Sequence, residues 1–229
     1  MCGRFAINSS PDLLRRLLGF VEQPNFPPRY NIAPMQPIPI VRVANGGRHF
    51  TLMRWGLIPS WAKDPRKFAL LINARAEGIT EKPSFRAAVR RRRCLIPADG
   101  FYEWRREGKS KRPYFVRARG GEPMAFAGIW ETWIDADGGE VDTTAIVTCT
   151  ANAVLQPIHA RMPVVIPPAA FAAWLDPGET KVNEACALLK PAPDEFMEAY
   201  EVSPRVNKVA YDDVENIAPV SAAADTEAA

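Results

Sequence analysis

Cys94-Leu95-Ile96 and, after three intervening residues, Gly100-Phe101-Tyr102-Glu103-Trp104 decide how the fold is read. Both are short runs rich in β-branched and aromatic side chains, the composition that suits a pleated, half-buried surface. Similar runs follow at residues 114–117, 125–130 and 141–148, separated by turn-forming Glu107-Gly108-Lys109 and by residues 135–139. Upstream, residues 38–43 and 49–55 flank Asn45-Gly46-Gly47, which predicts a hairpin. Helical patterns are fewer and shorter, at residues 84–91, 168–175 and 182–189. One more opens the chain: Ser10-Pro11-Asp12 combines an N-cap, a first-turn proline and an acidic first turn, with leucines at 13, 14, 17 and 18 and Gly19 as the stop. Six prolines from Pro24 to Pro39 predict extended, irregular chain between this helix and the hairpin, and argue against a central strand there. Strands that follow one another without helical crossovers predict an α+β fold, mainly antiparallel, with a barrel-like β core and short flanking helices around one core.

The 229 residues are enough to bury one substantial core, so a single domain over residues 1–220 is expected. Residues 221–229 are alanine-rich with no aromatic anchor and read as a disordered tail. No secretory signal and no apolar run of bilayer length is present, so a cytoplasmic, nucleoid-associated monomer without membrane attachment is expected. Cys2, Cys94, Cys149 and Cys186 lack CxxC or CxxH spacing, which argues for reduced thiols, against a zinc site and against a disulfide framework. No metal and no cofactor is expected. A net charge of +3 gives only weak support for a polyanionic partner.

Cys2 carries the most specific chemistry. Removal of Met1 would leave an amine and a thiol on one residue, a 1,2-aminothiol. With reference pKa values of about 7.7–8.0 for the amine and about 8.5 for the thiol, a fraction of the amine is free to attack an aldehyde near neutral pH. The thiol can then close a five-membered thiazolidine, which no internal cysteine can form because its nitrogen is an amide. The plainer alternative is a small buried hydrophobe. Against it, chain termini are usually frayed, and Gly3, Arg4 and Phe5 follow at once: a flexible residue, a phosphate partner and a stacking ring.

Met1-Cys2-Gly3-Arg4-Phe5, Arg29-Tyr30-Asn31-Ile32-Ala33-Pro34, Trp55-Gly56-Leu57-Ile58-Pro59, Asn73-Ala74-Arg75-Ala76-Glu77 and Gly100-Phe101-Tyr102-Glu103-Trp104 occur in this order. Together they resemble the SRAP (SOS-response-associated peptidase) family, and the likeness extends through His159-Ala160-Arg161-Met162-Pro163 to about Val209. The resemblance implies a protein that shields abasic sites in single-stranded DNA by a covalent thiazolidine crosslink. It implies Cys2 as nucleophile, Asn73 as the residue that orients the terminal amine, and Glu103 and His159 as the acid and base that imine formation requires. On pattern alone Glu103 would be a solvent-facing residue of an alternating strand, and His159 equally a surface-loop residue or a site member. Asn73 alone could equally cap or turn, and His49 reads as a half-exposed structural histidine.

For DNA, Arg4, Arg75, Arg86 and the run of arginines 90–93 offer cations, and Trp55, Trp61 and Phe85 offer stacking or wedging surfaces, the two components that single strands require. Arginines 90–93 read equally well as a solvated helix end, and Trp55 and Phe85 as core. Gly3, Thr148 and Arg161 complete the expected contact set. Lys63, Asp64, Arg66 and Lys67 fall in a segment that is shorter and more aromatic in some relatives, so this loop's contacts stay open. Two other functions stay open as well: a cysteine peptidase, minimally one that removes Met1, with lyase-type chemistry also conceivable, and a noncatalytic single-strand binder. Replication-fork proteins are candidate partners.

Overall fold

In the computed structural model, residues 2–220 are described. Helix α1 (Pro11–Leu18) forms as its caps predict: the Ser10 side chain accepts from Leu13 N, and Gly19 ends the helix in the left-handed conformation. It is followed by the predicted hairpin, β3 (Pro37–Ala44) and β4 (Gly47–Trp55), whose Asn45-Gly46 turn has φ of 49° and 75°. Positive φ at both central residues is the type I′ signature that Asn-Gly favours.

These strands belong to a closed barrel. β4 runs parallel to β10 (Glu140–Thr150) at Arg54–Trp55, and β10 is antiparallel to β9 (Met124–Ile134). β9 pairs with β6 (Arg93–Ala98), and β6 returns to β3 through Val41 and Leu95, closing the ring. Two short strands extend one end of β10: β5 (Asn73–Arg75) in parallel and β11 (Arg161–Pro163) in antiparallel register. The second sheet is antiparallel, in the order β12 (Met197–Glu201), β8 (Ser110–Ala118), β7 (Gly100–Glu107), β1 (Phe5–Ile7), β2 (Arg29–Ile32). The fold is α+β, with a barrel core and short helices α2 (Arg86–Arg91), α3 (Phe171–Leu175) and α4 (Val182–Cys186) beside α1.

The two sheets are joined by aromatic packing. Phe5 sets its ring edge-on to Trp55 at 5.1 Å and to Phe126 at 6.3 Å, and Phe101 meets Phe126 at 5.8 Å. Full burial of each such side chain contributes roughly 1.5–3 kcal/mol. Within the second sheet, Gly100 leaves room for the Phe115 ring of the neighbouring β8, because a Cβ there would lie 2.2 Å from it. A small satellite cluster of Ala6, Tyr102, Phe115, Val202 and Val206 lies apart from the main core.

Two expectations need correction. The proline-rich stretch is not wholly irregular: it contains β2 and the start of β3, an interior strand. Prolines 37 and 39 are tolerated because β6 reaches β3 only at Val41, so no ladder donor is required of them. The helices predicted at 84–91 and 182–189 are shorter than expected. The sheets are mainly antiparallel, as expected, with β10 running parallel to β4 and β5. The tail expected at 221–229 lies outside the described residues. Among the described residues no helix is long and apolar enough to cross a membrane, and no group of three or more His, Cys, Asp or Glu is placed to hold a metal.

Candidate active site

The start of the chain runs antiparallel to β7. Phe5 pairs with Phe101, and Tyr102 N donates to Arg4 O at 3.0 Å, so residues 2–4 continue alongside Glu103. Cys2 is therefore not frayed. It is fully buried, which corrects the expectation from its terminal position: β pairing and the core hold it where an unpaired terminus would move. Burial pushes its thiol far above the ordinary range, and the nearby Glu103 charge adds to the shift.

Asn73 arrives from the other sheet. β5 is pinned to β10 by Ile146, Val147 and Thr148, with Ala74 buried beneath it. From that base Asn73 Nδ2 donates to Cys2 O at 2.8 Å, while its buried Oδ1 accepts no hydrogen bond from any described residue. Glu103 is 3% exposed, and burial pushes its carboxyl up, opposed in part by His159. His159 Nδ1 stands 3.9 Å from Glu103 Oε1 and 3.0 Å from Arg161 N, whose N–H it accepts in the neutral ring. The tight turn at Leu155, whose carbonyl accepts from His159 N at 2.8 Å, delivers the imidazole there. Cys2, Asn73, Glu103 and His159 thus converge from four separate segments. A cleft of about 460 Å³ opens on Glu103 and His159, lined also by Trp104, Arg106, Lys111 and Asn207.

The expected DNA contacts divide. Arg75 and Arg86 are exposed, and Trp61 is 52% exposed with its ring edge-on to Phe68 at 5.2 Å. Arg161 grips Glu77 through two bonds of 2.7 and 2.8 Å and donates to Thr148 O at 2.6 Å, which holds the Glu77 carboxyl down at about 2. Thr148 is fully buried and contributes through its backbone, as the residue of β10 paired with both Arg75 and Pro163. Gly3 is half-buried between Cys2 and Arg4.

Other expected contacts are spent on the fold. Arg4 donates through Nη1 to Asn31 Oδ1 at 2.7 Å and to Val206 O at 2.9 Å, so that end of its guanidinium ties the start of the chain to β2 and the C-terminal segment. Phe85 does not project as a wedge: it is 5% exposed in the main core and only borders a groove shared with Leu70, Asn73, Arg75 and Lys82. Trp55 is fully buried and donates to Ile72 O. Within the arginine run, Arg93 is buried and donates to the carbonyls of Trp174 and Asp176, and Arg92 pairs with Glu131, leaving only Arg90 and Arg91 exposed at the helix end. A buried arginine persists because several carbonyls satisfy its donors together. His49 pairs with Glu22 at 2.7 Å, in keeping with a structural role.

Sequence reasoning missed Asn31. Fully buried, it receives Arg4 and donates to the carbonyls of Val206, Lys208 and Tyr211, tying β2 to the C-terminal segment beside the site. Its place in the Arg29-Tyr30-Asn31 motif was the available signal.

The family model described as SOS response associated peptidase (SRAP) matches residues 1–209. The abasic site processing protein YoqW of Bacillus subtilis is 40% identical over 213 residues, covering 90% of this chain and 94% of that protein. The abasic site processing protein HMCES of Gallus gallus is 31% identical over 264 residues, covering 96% of this chain and 78% of that protein. A crystal structure of a protein from Bacteroides thetaiotaomicron superposes with a TM-score of 0.85 at 28% identity, over 96% of this chain and all of that one. With this match over nearly its whole length, the chain belongs to the SOS response associated peptidase (SRAP) family.

Proposed function

We propose that this protein processes abasic sites in single-stranded DNA and that Cys2, freed at its amine by loss of Met1, captures the sugar aldehyde as a thiazolidine. The observation that carries this reading is the convergence of Asn73, Glu103 and His159 on Cys2, with Asn73 bound to the Cys2 carbonyl at 2.8 Å. The names of the relatives, abasic site processing proteins, support its choice of lesion.

The chemistry balances without an oxidant or reductant. The amine adds to the aldehyde carbon of the ring-opened deoxyribose, giving a carbinolamine. Glu103, whose raised carboxyl keeps a proton more readily than an exposed one, protonates the departing hydroxyl, and one water leaves as the imine forms. The sulfur then adds to the imine carbon while its proton passes to nitrogen. One C–N and one C–S bond replace the C=O bond, and one water is released. Because burial holds the thiol protonated, Glu103, now a carboxylate, is the group beside it to relay that proton, with His159 steadying its charge. Asn73 orients the residue through the Cys2 carbonyl and offers Oδ1 to the amine. Arg75, Arg86 and Trp61 offer cations and a stacking face to the strand.

Intact-mass spectrometry before and after mixing with an abasic oligonucleotide tests the proposal. The expected masses are those of protein without Met1, then of that protein plus the oligonucleotide less one water, unchanged by chelator. Cys2→Ala abolishes the denaturation-resistant adduct. An adduct that survives this substitution, or that forms on protein retaining Met1, overturns the reading. Cleavage of peptides with indifference to the lesion would instead identify a peptidase, and equal binding of intact and abasic strands a noncatalytic binder.

A further inference from the structure

The β7–β8 hairpin carries cations on both faces and treats them differently. On one face Arg105 pairs with Glu107, and Arg112 with Glu107 and Glu201. On the other, Arg106 and Lys111 are exposed, stand directly opposite each other in the strand register, and have no carboxylate partner among the described residues. Like charges in directly paired positions of an antiparallel ladder are destabilising. Glu107 of the hairpin and Glu201 of the neighbouring β12 are engaged on the opposite face, and Glu198 of β12 pairs with Arg117. The unneutralised pair lines the cleft that opens on Glu103 and His159. Strand periodicity places Trp104 on the same face as Arg106, and Trp104 Nε1 donates to Asn207 Oδ1 at 2.8 Å, which fixes the ring as a wall of that cleft. From Glu103 to Arg106 the strand advances roughly 10 Å, a reach suited to the backbone of a strand already anchored at the lesion.

We propose that Arg106 and Lys111, with Trp104 as a wall, form a phosphodiester-binding groove that holds the DNA strand on one side of the abasic site. This rests on the abasic-site reading above and assigns one flank of that same substrate. Arg75 and Arg86, carried by β5 and α2, then serve the other flank.

The test uses the full-length Arg106→Gln/Lys111→Gln double variant and two oligonucleotides, one with the abasic residue at its 5′ end and one with it at its 3′ end. For one of the two, the slope of log affinity against log salt becomes shallower by about 1.4, since each lost cation–phosphate contact on a single strand is worth about 0.7. For the other the slope is unchanged. A slope unchanged for both oligonucleotides, or lowered equally for both, overturns the groove. The variant's melting temperature stays at or above that of the wild type, because a like-charge pair has been removed; a lower one together with uniform loss of binding also counts against the proposal. Wild-type reaction with deoxyribose 5-phosphate reports on the Cys2 chemistry separately. If that reaction fails, the thiazolidine reading falls, while salt slopes measured with intact strands still decide the groove.

Discussion

The two sheets that meet at the site supply it in different ways. The second sheet provides Glu103 on β7 and Cys2 on the segment that leads into the adjacent β1, so their mutual placement is set by one local ladder and its continuation. The barrel provides Asn73, His159 and Arg161 from β5, β11 and the loop before β11, all referred to the far end of β10. The reactive pair is thus built as a unit, and the orienting groups approach it across a seam closed by Phe5, Trp55, Phe101 and Phe126. A site split this way keeps its nucleophile beside its acid even when the seam breathes, but loses orientation.

The largest effect should come from the second sheet. Glu103→Gln removes the proton carrier, and single-turnover capture of an abasic oligonucleotide should slow by about 10²–10⁴-fold, the usual contribution of a positioned acid or base. A slowing of less than about threefold would detach Glu103 from the chemistry. The same variant makes a stability prediction with a defined sign. Burial raises the folded carboxyl, so its favourable contribution is complete below the ordinary carboxylate range and is lost as pH rises through the raised value. The melting temperature of Glu103→Gln relative to wild type should therefore increase from acidic to neutral pH, and a flat difference would refute the buried-carboxyl account.

Asn31→Ala should come next, and it probes the underside of the same sheet. It removes one of Arg4's two acceptors and one donor each from the carbonyls of Val206, Lys208 and Tyr211, at a cost of about 1–3 kcal/mol in denaturant unfolding. If capture slows more than stability falls, the network also positions Cys2 through Arg4.

The smallest effect belongs to the barrel side. Glu77→Gln breaks the fork with Arg161, but Glu77 is 57% exposed, so solvent screening limits the loss to under about 1 kcal/mol. Because Arg161 lowers the Glu77 carboxyl to about 2, the contribution is present above the ordinary value of 4.5 and disappears as pH falls toward 2. The gap between variant and wild type should close over that window; one that widens on acidification would mean the pair is not what Glu77 contributes.

Much of this arrangement was legible in the residues. Ser10, Gly19 and Asn45-Gly46 acted as punctuation because capping and positive φ are decided within a few residues. Asn73, Glu103 and His159 stood out only through motif resemblance, since each by itself also suited a cap, a strand surface or a loop. The surroundings of Arg4, Arg93 and Phe85 could not be read locally for one reason: exposure of a side chain depends on what packs over it from distant segments, here Val206, Trp174 and the main core.

From the sequence by itself came the strand and helix types, the turn chemistry and the unique reactivity open to a cysteine beside the initiator methionine, because these depend on local periodicity and covalent structure. Only the tertiary structure decided that Cys2 is buried, that Asn73, 71 positions away, holds its carbonyl, and that Arg106 and Lys111 have no carboxylate partner among the described residues while Arg105 and Arg112 do. The physical reason is that long-range strand pairing and burial are settled by the packing of whole sheets, and no short stretch of chain contains that information.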